Sequence, residues 1–282
     1  RQGWEFSGSF TNEFNGINYK IGANLSYVQS ELNKLIDEIP HISDGDEFST
    51  HARSFLNQPV GQFFLLDYDG IYSQEDIDAL DENFTAYGIT PQAGDAKFID
   101  HGSDPNGEFA GAPDGKINEF DRVSMGNVNP IRYGFSFNAR YKAFDLTIFF
   151  QGITKYNVYN SWYHNLNTDD YTNYTADFDP YINGEGTEPR SVFGREYYHE
   201  RPSSKYLENG AYFRLKNLQI GYHIPLKFIQ NLRVYLSGQN LYTWTQYRGL
   251  DPEINGPMFG PAVDQQVFPN LRTFIVGLDV TF

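Results

Sequence analysis

The sequence predicts an all-β chain that supplies strands to a large antiparallel transmembrane β-barrel. Three observations carry this reading. Long stretches alternate apolar and polar residues, the pattern of a strand with one apolar and one wettable face. Short turns and long loops follow one another in strict alternation, as in outer-membrane barrels with short periplasmic turns and long extracellular loops. Aromatics make up 17% of the 282 residues, with 21 Tyr and 24 Phe, an excess that fits aromatic girdles at membrane interfaces or a carbohydrate-binding surface.

The bulk properties agree. The net charge is -15 and the pI is near 4.7, so nucleic acid, which calls for a basic patch, is not an expected partner. The absence of cysteine excludes disulfide scaffolds and thiolate metal sites. No apolar run approaches the ~18 residues of a transmembrane helix; the longest is Phe63 to Leu66. The mean hydropathy of -0.54 suits a barrel, whose strands are half polar. The chain begins at Arg1, and the expectation is a C-terminal piece whose export signal lies elsewhere.

Taken in order, Trp4, Phe6 and Phe10 alternate around Gly8, and a turn is expected over Thr11 to Gly16, ending in Asn15-Gly16. Ile17, Tyr19, Ile21, Ala23, Leu25 and Tyr27 then alternate against Asn18, Lys20, Gly22, Asn24 and Ser26, the cleanest strand of the chain. From Asn33 to Asn129 the alternation lapses. Inside that stretch Ser73 to Phe84 reads as a short helix, with Ser73 as cap, Asp76 at the capping-box position and Ile77, Leu80 and Phe84 on one face. So long an insert is expected to be a folded loop or a separate module.

Strand pattern resumes at Phe135, Phe137, Ala139 and Tyr141, turns at Lys142-Ala143, and returns through Phe144, Leu146, Ile148 and Phe150. Asn160 to Asn209 is a second long polar loop. Leu218, Ile220, Tyr222 and Ile224 alternate next; Arg214 and Lys216 would extend their face upstream, which predicts either a bulge or a charged headgroup zone. After the short link Pro225 to Gln230, Leu232, Val234 and Leu236 alternate against Arg233, Tyr235 and Ser237. A third loop leads to Phe274, Val276, Leu278, Val280 and Phe282, apolar at every second position up to the last residue.

These segments make seven strands, which more chain is expected to complete into a closed barrel. The long loops are 33–130, 160–210 and 247–270. Ile17, Ile21, Leu25, Phe144, Ile148, Val234, Val276 and Val280 are expected to face lipid. Asn18, Asn24, Thr147, Gln239 and Asp279 are expected to face the lumen. Phe282 is expected at the periplasmic interface.

Several motifs are familiar in combination. Lys97-Phe98-Ile99-Asp100, Asp114-Gly115-Lys116-Ile117 with Asp121-Arg122, Tyr141 to Leu146, Phe149 to Gly152, Tyr206 to Leu218, Ser237 to Leu241, Asp251-Pro252-Glu253 and Arg272-Thr273-Phe274 occur in one order across nearly the whole chain. In that order they resemble the C-terminal third of SusC/RagA-like TonB-dependent outer-membrane transporters of Bacteroidetes. The resemblance implies a barrel of roughly 22 strands with a plugged lumen. It implies import of oligosaccharides or oligopeptides across the outer membrane, driven through TonB-ExbB-ExbD, with a SusD-like lipoprotein as lid. Outer-membrane lipid and lipopolysaccharide are further implied partners. The plug, the TonB box and the earlier strands are expected in the remainder of the same transporter.

Asp114-Gly115-Lys116-Ile117-Asn118-Glu119-Phe120-Asp121 matches the second half of an EF-hand-like loop. Asp100, Asp114, the backbone carbonyl of Lys116 and Asp121 are therefore candidate calcium ligands. The first half departs from the pattern, since Ala110 and Ala112 stand where carboxylates or Asn belong; Asp104 or Asn106 would have to fold in. An acidic turn that binds nothing is the alternative. Trp162, Tyr163, Tyr171 and Tyr174 are candidate substrate contacts, able to stack on sugars or clamp a peptide; loop core or a lid-docking surface is the alternative. Enzyme signatures are lacking: the six His are scattered, with no metalloprotease pair, phosphate loop or nucleophile elbow. The competing reading is a soluble, calcium-dependent carbohydrate-binding β-sandwich, with a secreted glycoside hydrolase behind it.

Overall fold

The structure is a computed structural model; it describes every residue except 37–40, 44–51, 103–111, 169–178, 192–200, 227, 229, 257–259, 266 and 282. Phe282 and the candidates Asp104, Asn106, Tyr171 and Tyr174 lie outside the described residues.

The chain opens with two long strands, β1 (Gln2–Phe14) and β2 (Ile17–Gln29). The first long insert carries eight short ones: β3 (His41–Ser43), β4 (Ala52–Phe55), β5 (Gln62–Leu66), β6 (Tyr68–Ile71), β7 (Thr85–Ala86), β8 (Ala96–Phe98), β9 (Lys116–Ile117) and β10 (Arg122–Met125). The hairpin β11 (Ile131–Tyr141) and β12 (Phe144–Thr154) follows. The second insert holds β13 (Asn157–Tyr159), helix α2 (Ser161–Thr168) and β14 (Leu207–Asn209); helix α1 (Gln74–Ala79) lies in the first. The chain ends with β15 (Tyr212–Ile224), β16 (Asn231–Thr245) and β17 (Thr273–Thr281).

The seven long strands form one antiparallel meander in the order β1-β2-β11-β12-β15-β16-β17. A sandwich would divide them between two facing sheets; among the described residues they lie in one, with β1 and β17 as its edges. The fold is an open antiparallel sheet, the arc of a barrel whose two edges, β1 and β17, do not meet.

Register shows why the alternation exists. Directly paired residues share a face, so one row runs Phe10, Ile21, Phe137, Ile148, Leu218 and another Phe14, Ile17, Tyr141, Phe144, Tyr222, Val234, Leu278. The opposite face carries Thr11, Lys20, Asn138, Thr147, Gln219, Ser237. Every residue expected toward lipid falls in an apolar row and every residue expected toward the lumen in a polar one. The apolar rows stay bare: Phe274 is 72% and Val276 77% exposed. A face that apolar, over that many strands, needs a hydrocarbon solvent.

Aromatics cluster at both ends of this face. Near the long loops Phe150 stacks on Phe213 at 4.9 Å, and Tyr242 meets Trp244 at 4.7 Å. Near the short turns Phe144 meets Tyr222 at 4.8 Å. From Tyr133 to Tyr141 the strand climbs about 27 Å at roughly 3.4 Å per residue. A tilt of ~40° turns that into roughly 20 Å of membrane, close to the apolar band of such barrels.

Several local expectations are refined. The expected turn over Thr11 to Gly16 shrinks to Asn15-Gly16, and β1 pairs as far as Phe14↔Ile17. Both turn residues have positive φ, 49° and 78°, which matches the strand twist of a two-residue hairpin. Lys142-Ala143 closes the second hairpin, with Lys142 at φ 53°. The question posed by Arg214 and Lys216 resolves as a bulge: register shifts between Leu215 and Asn217 against both neighbouring strands, so Arg214 pairs with Gln151 and Thr243 on the polar face. The helix expected over Ser73 to Phe84 stops at Ala79, although its capping box forms as expected.

The protein core is not in the sheet. Of the buried apolar side chains among the described residues, only Ile153 and Tyr212 belong to the long strands. The remainder sit in the loops, where β10-β5-β4-β3 make a small sheet. Phe63 and Leu65 of the first loop pack with Tyr159, Tyr163 and Tyr206 of the second, and Val263 of the third joins them. The three long loops therefore fold against one another into one body at one end of the sheet.

Candidate functional site

Two charged assemblies hold this architecture on its polar face. Near the short turns, Arg233 forks onto Asp145, Nε to Oδ2 at 2.9 Å and Nη2 to Oδ1 at 2.6 Å, and its Nη1 donates to Asp279 at 3.0 Å. His223 Nε2 lies 3.1 Å from the same Asp145. The four residues sit on β12, β15, β16 and β17, so the fork ties four strands together. Gly221 stands beside it, and a side chain there would run into Asp145 and Arg233.

Near the long loops, Arg214 is 2% exposed and holds the third loop to the sheet. Its Nε donates to Thr243 at 2.7 Å, Nη1 to Glu253 at 2.7 Å and Nη2 to Asp251. Lys216, put on this side by the bulge, adds a 2.9 Å contact to Glu253. Asn270 closes the other end of the loop, donating to Asp251 Oδ2 from its backbone at 2.9 Å and from Nδ2 at 3.0 Å. Burial pushes the Asp251 carboxyl up, but Arg214 and the Glu253 and Asn270 amides outweigh it and hold the group below its ordinary range. The sequence marks Arg214 and Lys216 as a break in the strand pattern and Asp251 and Glu253 as part of a familiar motif. That Asp251-Pro252-Glu253 and Arg214 are two halves of one clasp needed the fold.

The loop body has its own latches. Glu208 accepts from Asn160 Nδ2 at 2.9 Å, from Arg248 Nε at 3.0 Å and from the Arg248 backbone at 2.9 Å. Lys205 pairs with Glu188, and Arg190 with Asp95. Tyr247 donates to Asp264 at 2.6 Å.

Of the four aromatic candidates, Trp162 and Tyr163 lie among the described residues. Tyr163 is 5% exposed and packs inside the loop body, with Arg248 4.1 Å over its ring. Trp162 is half-buried beside it, its backbone N–H donating to Asp264.

The acidic loop is wound around backbone amides. Asp100 accepts from Gly102 and Asp114 at Oδ1 and from Gly115 at Oδ2. Asp121 accepts from His101 and Gly102 at Oδ1 and from Asn118 at Oδ2. Asp114 accepts from the Lys116 backbone, and the Lys116 side chain is exposed. Burial pushes the Asp121 carboxyl up to about 6, against the Asn118 amide and with the help of the Asp100 and Asp114 charges. Hard oxygen donors thus gather here, but among the described residues no three acidic or His side chains come together at metal-ligand spacing.

Comparison with known proteins gives these features a family context. No protein-family model matches the chain. TonB-dependent receptors P3 and P26 of Formosa agariphila are each 31% identical to it over 100% of the chain. TonB-dependent receptor SusC of Bacteroides thetaiotaomicron is 30% identical over 91 residues, 28% of the chain. The chain spans only 28% of the length of P3 and 29% of P26. Among solved structures, the RagAB peptide transporter superposes with a TM-score of 0.72 at 21% identity, covering 99% of this chain and 29% of that one. At that identity the likeness speaks for the fold alone.

Proposed function

We propose, for a chain that matches TonB-dependent receptors along its whole length, that it forms the C-terminal wall and loop mouth of a SusC/RagA-like TonB-dependent importer in the outer membrane. One observation carries the proposal: a sheet bare and apolar on one face, polar on the other, with aromatic bands at both ends. Such a surface is stable only between lipid and an aqueous lumen. In this reading the short turns point to the periplasm and the loop body to the cell exterior. The cargo is an oligosaccharide or oligopeptide, and a SusD-like lipoprotein covers the mouth. The relatives are receptors, which supports transport over catalysis.

The chain's own residues then have mechanical roles. The Asp145–Arg233–Asp279 fork stiffens the lumen wall near the periplasmic end, and the Arg214 clasp holds the third loop over the lumen. We also propose that calcium joins the acidic loop, supported by the EF-hand-like run from Asp114 to Asp121 and by the Asp100 and Asp114 charges that act on Asp121.

The test uses the full-length protein expressed from its own genome. It is expected in the outer-membrane fraction, to migrate anomalously on a gel when unheated, to co-purify with a lipoprotein, and to take up cargo only when TonB is present. Recovery from the soluble fraction, or uptake without TonB, would overturn the reading.

A further inference from the structure

We infer that a pocket on the lipid side of the sheet, at the loop end of β11, β12, β15 and β16, holds an uncharged sugar carried by a membrane lipid, with Tyr133 and Trp244 as its walls. This rests on the outer-membrane reading, in which the lipid belongs to the outer leaflet. The pocket encloses about 440 Å³. Tyr133, Thr154, Asn209, Ala211, Trp244 and Gln246 line it. All four strands have both of their neighbours in the sheet, so the pocket does not stand at an edge.

Register places the pocket and explains it. Leu25, Tyr133, Gly152, Phe213 and Trp244 are successive partners in one cross-strand row, on the same face as Phe137 and Ile148. Gly152 is the gap in that row. Tyr133 leans into the gap, since a side chain at Gly152 would run into the Tyr133 ring. In this way Tyr133 reaches Phe213, the two rings lying 6.1 Å apart and 18° from parallel, and Phe213 meets Trp244 at 5.5 Å. Nearer the loops stand the smaller Thr154 and Ala211, so the aromatic row ends in a ledge. Asn209 Nδ2 donates to Gln246 Oε1 at 3.4 Å and closes the rim above it.

The lining selects the ligand. Among the described residues that form it, none is charged, so it offers no cation to a phosphate. Aromatic rings take the C–H side of a sugar, and hydroxyl and amide groups meet its hydroxyls; Thr154, Asn209 and Gln246 supply these at the rim. An ammonium headgroup would use the rings and leave the amide donors unmet. The pocket is also continuous with the lipid-facing rows. Phe135, Phe150, Leu215 and Tyr242 form the next row toward the short turns, and Phe137, Ile148 and Leu218 lie beyond it. A sugar in the pocket therefore has apolar surface beneath it for acyl chains, which commits the site to a glycolipid and not to a free sugar.

The experiment counts the lipids that the full-length protein retains, by native mass spectrometry after release from phosphatidylcholine nanodiscs. The nanodiscs carry equal small amounts of glucosyl diacylglycerol and phosphatidylethanolamine with the same acyl chains, and free glucose is the third probe. The glucosyl lipid is expected to be retained about fivefold or more over phosphatidylethanolamine, the worth of a single hydrogen bond. Trp244→Leu keeps the face apolar, and Ala211→Phe fills the space with a ring that lipid tolerates; each should abolish the preference. Tyr222→Leu removes an aromatic from the opposite end of the same face and should leave the preference intact. Equal retention of the two lipids, or a preference for phosphatidylethanolamine, would overturn the site. Equal loss from Trp244→Leu and Tyr222→Leu would reduce it to the general aromatic band. Glucose that competes with the glucosyl lipid at equal concentration would overturn the lipid as the source. Heat-dependent gel migration of the unmodified protein tests the outer-membrane reading by itself, and a protein that inserts without showing the preference overturns only the site.

Discussion

Ile148 and Thr147 are neighbours in β12 with opposite environments, since one pairs with Phe137 in an apolar row and the other with Asn138 in a polar row. Arg at Ile148 is therefore expected to cost about 2–4 kcal/mol near the membrane midplane, and Arg at Thr147 little. The check is folding stability in lipid vesicles together with outer-membrane yield; equal losses from both variants would show that the faces are misassigned. Arg214 sets up a second contrast. Replacing it by Met leaves Asp251 buried without its cation and Glu253 with Lys216 alone, which costs about 3–5 kcal/mol. The expected result is protease cleavage in loop 247–270 with the sheet still inserted. A clasp that contributed nothing would leave the cleavage rate unchanged.

Among the elements, the acidic loop responds to pH in a direction that can be worked out. Asp121 is raised in the folded state from 3.8 to about 6. Between those values the folded loop binds more protons than the unfolded one, so its stability falls as pH rises through this window and levels off above it. Limited proteolysis of 97–126 is expected to be slower at pH 5 than at pH 7. Calcium neutralises the same charge as the proton, so it should protect the loop more at pH 7 than at pH 5. Identical cleavage with calcium and with chelator would remove the metal from the account, while leaving the pH effect intact. The hairpin β1–β2 offers a simpler contrast. Gly16 sits at φ 78°, so Gly16→Val is strained and should slow assembly, whereas Lys20, one of the polar row, tolerates exchange for Gln.

At the scale of the whole molecule, sheet and loop body rest on different forces. The sheet is held by ladder hydrogen bonds and its lipid-facing rows, the loop body by a water-excluding core around Phe63, Leu65, Tyr159 and Tyr206. Tyr206→Ala is expected to remove about 3–5 kcal/mol from the loop core. The loops should then open to protease and lose affinity for any lid, while outer-membrane yield stays near normal. A matching fall in yield would show that the loop body and the sheet fold as one cooperative unit.

The sequence by itself determined the strands, their faces and the order of turns and loops. Alternation such as Phe144, Leu146, Ile148, Phe150 is a local code, because a strand repeats every two residues and lipid demands one face. Asn15-Gly16 was legible because a two-residue turn needs positive φ, which Asn and Gly adopt readily, and Lys142-Ala143 because the alternation breaks between Tyr141 and Phe144. The bulge at Lys216 was legible only as a break in the pattern; the neighbouring strands decided which way Arg214 turned. Tertiary structure alone decided the loops. Their core joins Phe63, Tyr163, Tyr206 and Val263, residues far apart in the chain and without periodicity, and it decided between the two readings the sequence left open for Tyr163, contact surface or loop core, by burying it. The Arg214–Asp251–Glu253 clasp belongs to the same class. Charge complementarity across a folded chain leaves no mark in the spacing of residues, because its partners meet only after the strands have fixed where each loop begins and ends.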